Sequence, residues 1–228
     1  MREAIAFSSN VYFYIIGGGF KDQPGLGITK MYEYFTKFGF GEPTGVALAN
    51  EQSGTVPSPA WKKELFDDDW RLGDTYFTAI GQYGFQVTPI QMLAAYGAIA
   101  NGGKLFTPHL ERDYEGSYRD LELDPDKLQI VREGMRKTVI LDGGTARSLE
   151  KPYVNIAAKS GTAELDFAKA RLNTWAAGYW PYEDPQYAFI ILMENAPYAN
   201  RLGGTGLMGK VMDWIHENRP EYLEVENT

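Results

Sequence analysis

The sequence predicts an α+β fold in which an antiparallel sheet packs against helices, on three observations. Apolar residues recur at helical spacing in segments between Ile28 and Val139, three strand-like runs follow between Val154 and Glu194, and one more helical run closes the chain. Helices first and antiparallel strands after them argue against alternating βαβ units. At 228 residues, with 44% apolar and 14% aromatic content, the chain is long enough to bury a sizeable core.

The elements follow in order. Ile28, Met31, Tyr32, Phe35 and Phe38 form an amphipathic stripe that stops at Gly39 and Gly41, and a loop rich in Gly and Pro runs on to about Pro59. Thr88, Pro89 and Gln91 combine an N-cap hydroxyl, a proline at the first helical position and a capping-box glutamine; Asn101 and Gly102 close that helix. Its apolar residues (Ile90, Leu93, Ala94, Tyr96, Ala98, Ile99) surround it nearly all round, which places it in the core. Asp124 and Pro125 open another helix, with Leu128, Val131, Met135 and Val139 on one face and Gly143 and Gly144 as its stop. Val154–Ala163, Asn173–Trp180 and Tyr187–Glu194 read as strands, the last two joined as a hairpin across Pro181 to Pro185. Because Tyr187–Met193 is apolar without alternation, it is expected at the sheet centre, covered on both faces. Leu207, Val211, Trp214 and Ile215 give a last helix that ends before Pro220.

Composition removes several function classes. A net charge of −8, with no basic run longer than Lys62 and Lys63, argues against a nucleic-acid partner. Cysteine is absent, so disulfides and thiolate metal sites are excluded, and His109 and His216 have no ligand-like spacing with acidic residues. No metal and no cofactor is expected. No run approaches the length of a membrane span, and Met1–Asn10 lacks the basic-then-apolar order of a signal peptide, so any anchor is expected outside these residues.

The stretch with most chemistry is Ala158–Glu164, which puts a lysine, two hydroxyls and a glycine into four positions of a strand. Strand alternation sets Ile156, Ala158, Ser160 and Thr162 on one face and Lys159 and Gly161 on the other. Such an edge can hydrogen-bond a carboxylate through its hydroxyls, set the local potential with its ammonium, and admit a substrate where Gly161 lacks a Cβ. An ordinary strand with surface polar residues reads the same way. Ser8 and Asn10, ahead of the aromatic run Tyr12–Tyr14, could project together from a helix-entry loop, one relaying a proton and the other holding a carbonyl. The competing reading is a helix N-cap, which residue type favours.

Three weaker signals receive structural readings. Gly204–Lys210 has most of a phosphate-binding loop but puts Val211 where a hydroxyl must reach magnesium, and it is read as a flexible loop leading to the last helix. Asp67, Asp68, Asp69 and Asp74 lack calcium-loop spacing and read as a solvated loop. Glu164 and Asp166 remain acid–base candidates at the rim of the strand.

Taken in order, Ser8–Asn10 and Lys159–Thr162 resemble two of the three signatures of the serine penicillin-recognising enzymes. Phe38–Leu48 (FGFGEPTGVAL), the glutamate and glycine of Glu51–Gly54, Ala79–Gln91 (AIGQYGFQVTPIQ) and Gly143–Ala146 (GGTA) resemble class B penicillin-binding proteins, above all the elongation type. The likeness runs from about Phe7 to Trp214. It implies a partial transpeptidase domain, of the fold shared with serine β-lactamases, over residues 1–228. The family's third signature, serine-any-any-lysine, is expected upstream of Ser8. Within the chain that pattern occurs only at Ser148–Lys151, downstream and ahead of Pro152, and no role is assigned to it.

The resemblance implies acyl transfer between peptidoglycan stem peptides, which penicillins and other β-lactams imitate. Ser8 would relay protons to the leaving group, Asn10 would hold the substrate amide, and Lys159 would keep the site positive. Ser160, Gly161 and Thr162 would form the substrate wall, with Ser160 and Thr162 on the terminal carboxylate and the Thr162 N–H supplying half of an oxyanion hole. Tyr83, Glu164, Trp175 and Tyr179 would line the cleft. The implied setting is the extracytoplasmic face of the membrane, periplasmic in a Gram-negative cell, alongside the cell-elongation machinery, and the chain alone is expected to be inactive without the nucleophile. A D,D-carboxypeptidase or β-lactamase would share the two motifs with water as acceptor, and a non-catalytic β-lactam sensor would keep the Lys159–Thr162 wall.

Overall fold

The computed structural model describes residues 1–112, 114, 116–165, 170–200 and 202–223. In chain order the elements are helices α1 (Arg2–Ala6), α2 (Asn10–Gly18), α3 (Gly27–Lys37), α4 (Pro59–Phe66), α5 (Leu72–Thr78) and α6 (Pro89–Ala100), strands β1 (Lys104–Phe106) and β2 (Tyr118–Asp120), helix α7 (Pro125–Ile140), strands β3 (Ala157–Glu164), β4 (Arg171–Trp180) and β5 (Tyr187–Pro197), and helix α8 (Gly203–Asn218). They form two compact units, one of residues 1–8, 96–104 and 122–228, the other of residues 9–95 and 105–121.

The first unit is built on the antiparallel sheet β3-β4-β5. Lys159 pairs with Ala177, Ser160 with Ala176 and Gly161 with Trp175, while Ala176 pairs onward with Ile191. Helix α7 packs against β3, α1 against α7, and α8 against β4 and β5. Val139, Ile156, Ala158, Ala176, Phe189, Met208 and Met212 meet in one buried cluster, so strand and helix apolar faces are removed from water together. The N-terminus of α7 follows from its residues: the Asp124 carboxylate accepts from the backbone N–H of Asp126 and Lys127, and Pro125 takes the first helical turn.

Two expectations for this unit are corrected. The central strand is β4, whose residues Ala176–Trp180 are all buried, whereas β5 pairs only with β4 among the described residues and is largely half-buried. Its unbroken apolar run meets α8 on one side without being enclosed on both; an apolar run alone does not distinguish the two situations. Gly204–Lys210 is helical, forming the first turns of α8 instead of a loop. A Cβ on Gly204 would stand 2.8 Å from the backbone of Trp175 and Ala176, so this glycine lets α8 approach β4 closely.

In the second unit α2 packs against α3 and α5. The Thr88 hydroxyl and the Gln91 side chain make the reciprocal capping box expected of α6. Gln91 is 1% exposed, and its amide also donates to the Glu42 and Ser53 carbonyls at 2.8 Å each, tying the FGFGEPTG loop to the helix. That loop, with Gln91, Leu105 and Arg119, lines a cavity of about 150 Å³. The enclosed face of α6 is smaller than expected. Ala95, Ala98 and Ala100 are buried, while Ile90, Leu93, Tyr96 and Ile99 are half-buried.

The acidic cluster is not simply solvated. Lys62, 4% exposed, lies 2.7 Å from Asp74 and 3.0 Å from Asp68 and donates to the Asp69 carbonyl, holding the α4–α5 connection around a buried cation. Both carboxylates have their pKa held below the usual range, Asp68 mainly by its bond to Lys62 and Asp74 by bonds to Lys62 and the Arg71 N–H against the opposing effect of burial. No cluster of acidic or histidine side chains among the described residues could hold a metal ion. No helix among them is long and apolar enough to cross a membrane.

Candidate active site

Lys159 lies at the centre of the site in the first unit. Its ammonium donates to Ser8 Oγ at 2.7 Å and to the Ser160 carbonyl at 2.8 Å. Burial pushes its pKa from the ordinary 10.5 down to about 8, because a charged amine loses hydration that the two neutral acceptors replace only in part. An amine with that pKa exchanges its proton near neutral pH, which an exposed lysine does not.

Ser8 reaches this lysine through local backbone geometry. Helix α1 ends at Ala6, the Ser8 N–H bonds the Ile5 carbonyl at 3.1 Å, and Ser8 itself takes φ 52°, a left-handed conformation uncommon for a residue with a Cβ. The next residue, Ser9, is the N-cap of α2, accepting from Tyr12 N–H at 3.4 Å. Capping therefore falls on Ser9, which leaves the Ser8 hydroxyl for Lys159. Asn10 opens α2 in the second unit and is exposed.

On β3, Ser160 Oγ stands 2.6 Å from Thr145 Oγ1, a contact in which either hydroxyl can donate. Thr145 was not singled out among the candidates from sequence, although it belongs to the GGTA element. The signal that could have found it is a hydroxyl placed immediately after a forced helix stop and shortly before the strand. Gly143 turns at φ 79°, and a Cβ on Gly144 would lie 2.4 Å from the Thr138 carbonyl, so the two glycines let the chain fold back beneath the end of α7. The Thr145 N–H then bonds the Ala6 carbonyl at 3.2 Å and the Ala146 N–H bonds Thr138 at 3.1 Å.

Thr162 is exposed farther along β3, and Glu164 is exposed at the strand's end opposite Leu172. Asp166 lies outside the described residues. Gly161 lies close against β4, where a Cβ would stand 3.2 Å from Trp175 Cβ, a tight contact. Trp175 is half-buried opposite it. Tyr179, expected in the cleft, is fully buried, and its hydroxyl accepts from Arg132 Nε at 3.2 Å. Its position on the enclosed part of β4, level with Ala157, accounts for that correction. Tyr83 belongs to the Lys62 surroundings, with ring centroids 5.9 Å from Trp61 and 5.7 Å from Trp70. Lys151 of the Ser148–Lys151 pattern lies 2.6 Å from Asp213, and Ser148 sits in a short 3₁₀ turn, so that pair is committed elsewhere.

A half-buried lysine bonded to a serine, on a strand that also bears two hydroxyls, is a constellation for proton transfer beside an anion. Residues 1–213 match the family described as the penicillin binding protein transpeptidase domain. The chain belongs to this family. Similar curated proteins are the peptidoglycan D,D-transpeptidase MrdA of Haemophilus influenzae, 30% identical with 100% of this chain and 38% of that protein covered, and MrdA of Escherichia coli K12, 31% identical with 83% and 34% covered. Similar solved structures include penicillin-binding protein PBP2 of Helicobacter pylori in complex with MreC, with TM-score 0.81, 38% identity, and 95% of this chain and 39% of that chain covered. Another is Pseudomonas aeruginosa PBP2 in complex with WCK 5153, with TM-score 0.80, 29% identity, and 99% and 49% covered. The transpeptidase-domain chain thus spans 38% of the H. influenzae relative's length. The mixed helix-and-antiparallel-sheet fold expected from sequence agrees with these matches.

Proposed function

We propose that these residues form the carboxylate-reading wall and the proton relay of a peptidoglycan D,D-transpeptidase, a penicillin-binding enzyme of the cell wall. The observation that carries the reading is the half-buried Lys159 shared between Ser8 Oγ and the Ser160 carbonyl. In this reading the terminal D-alanine carboxylate of a stem peptide meets the hydroxyls of Ser160 and Thr162 under the positive potential of Lys159. Lys159 and Ser8 exchange a proton, and Ser8 passes it to the departing D-alanine amine. Strand β3 pairs only with β4 among the described residues, so its outer edge has N–H groups to offer, and that of Thr162 provides half of an oxyanion hole. A β-lactam enters by the same contacts because its carboxylate and strained amide imitate the D-alanyl-D-alanine end.

The attacking serine comes from outside these residues, since Ser148–Lys151, the one serine-any-any-lysine pattern in the sequence, has its lysine bound to Asp213. The enzyme works on the extracytoplasmic side with the cell-elongation machinery; the PBP2–MreC complex of a similar protein supports this assignment. The experiment is D-alanine release by the full-length protein from a D-alanyl-D-alanine peptide, with and without an amine acceptor. Transfer to the amine is the expected result, and release to water alone would make the enzyme a carboxypeptidase.

A further inference from the structure

We infer that Thr145 is a positioning residue for Ser160: its hydroxyl donates to Ser160 Oγ and thereby turns the Ser160 proton toward the substrate carboxylate. The inference rests on the transpeptidase reading above. Two hydroxyls 2.6 Å apart share one proton between them and leave one proton free for a ligand. Which of the two is free is decided by where the carboxylate lies. Ser160 shares its strand face with Thr162 and sits next to Lys159 in sequence, so a carboxylate spanning the two hydroxyls draws the Ser160 proton. Thr145 must then donate inward, and a hydroxyl that accepts one bond becomes a stronger donor in the next.

The backbone supports this role. Thr145 is held by its N–H on the Ala6 carbonyl and, through its neighbour, by the Ala146 N–H on Thr138. Ala6 ends the helix that delivers Ser8 two residues later, so one residue links the Ser8 loop by its main chain and β3 by its side chain. A loose surface threonine has no such tethers. Thr145 is also exposed, so its hydroxyl is close to where a ligand arrives without having to be a catalytic group itself.

The test is the second-order acylation rate of the full-length protein by benzylpenicillin and by its methyl ester, which lacks the carboxylate charge. Thr145→Val keeps the shape and removes the donor; it is expected to slow acylation by benzylpenicillin about three- to tenfold, the size of one neutral hydrogen bond, and to leave the ester within about twofold. Thr145→Ser should restore the rate. In a Ser160→Ala background, Thr145→Val should cost nothing more. Equal losses for penicillin and ester, or an unchanged rate with penicillin, would overturn the inference while leaving the transpeptidase reading in place. A wild-type protein that penicillin does not acylate would overturn both.

Discussion

Replacing Lys159 by methionine should make the stability difference between wild type and variant depend on pH in one direction. The folded-state pKa of Lys159 is about 8 against 10.5 for an ordinary lysine, a gap of about 2.5 pH units. Each unit corresponds to about 1.4 kcal/mol, so the burial of this charge opposes folding by about 3 kcal/mol below pH 8. The sign follows from proton counting. Between about pH 8 and 10.5 the unfolded chain keeps the proton and the folded chain has released it, so unfolding takes up a proton and stability rises with pH. The methionine variant has no such group. Its comparison with wild type cancels the tyrosines and other lysines that titrate in the same window, which a single protein cannot do. Urea unfolding at intervals from pH 7 to 10.5 should show wild type gaining on Lys159→Met by about 3 kcal/mol across the window and levelling off above it. The absolute difference at pH 7 also includes the lost bonds to Ser8 and Ser160, and only the slope isolates the charge. A difference that stays flat from pH 7 to 10.5 would refute the reasoning and return Lys159 to an ordinary exposed cation.

The remaining predictions concern the scaffold and the nucleophile. Gly134→Ala in α7 places a Cβ 2.7 Å from Ile5 Cδ1, so despite alanine's better helix propensity it should destabilise the protein by about 1–2 kcal/mol in urea unfolding. Because Ile5 belongs to the helix leading to Ser8, the same variant in the full-length protein should acylate with penicillin more slowly than wild type. Gln91→Leu removes a side chain that is 1% exposed and leaves the Glu42 and Ser53 carbonyls and the α6 cap without their bonds to it, with an expected cost of about 3 kcal/mol by thermal or urea unfolding. The polypeptide of these 228 residues alone should give no covalent band with a fluorescent penicillin on a denaturing gel; a band that maps to Ser148 would make that serine the nucleophile after all.

Where the sequence was legible, a residue carried its own local instruction. Thr88-Pro89-Ile90-Gln91 and Asp124-Pro125 announced α6 and α7 because capping chemistry is decided within a few residues. The same signal stands at Ser58-Pro59, where the expected loop ends and Ser58 Oγ accepts from Trp61 N–H to start α4. Strand order was less legible, since the burial of β4 and the outer place of β5 depend on which neighbours each finds, not on composition. Gly204–Lys210 looked like a loop from its glycines, of which Gly204 lets α8 approach β4 and Gly209 lets it approach Ser148. In the site, Ser8, Lys159 and Ser160 stood out by residue type and were joined in one site by the family resemblance, and the fold brings Ser8 and Lys159 together over 151 positions of sequence. Thr145 was missed because its partner lies 15 residues away across a turn that only the folded chain closes. Tyr179 was misplaced for the complementary reason: an aromatic on a strand says nothing about whether it faces a cleft or, as here, a half-buried arginine.

The most direct test of the central claim, that Lys159 and Ser8 form the working side of a penicillin-binding site, is labelling of the full-length protein by a fluorescent penicillin with and without Lys159→Ala. Wild type should give a covalent band that unlabelled penicillin competes away, and the variant should label at least about tenfold more slowly, as expected when a proton relay and its charge are removed. Equal labelling of the two proteins, or no labelling of wild type, would contradict the account.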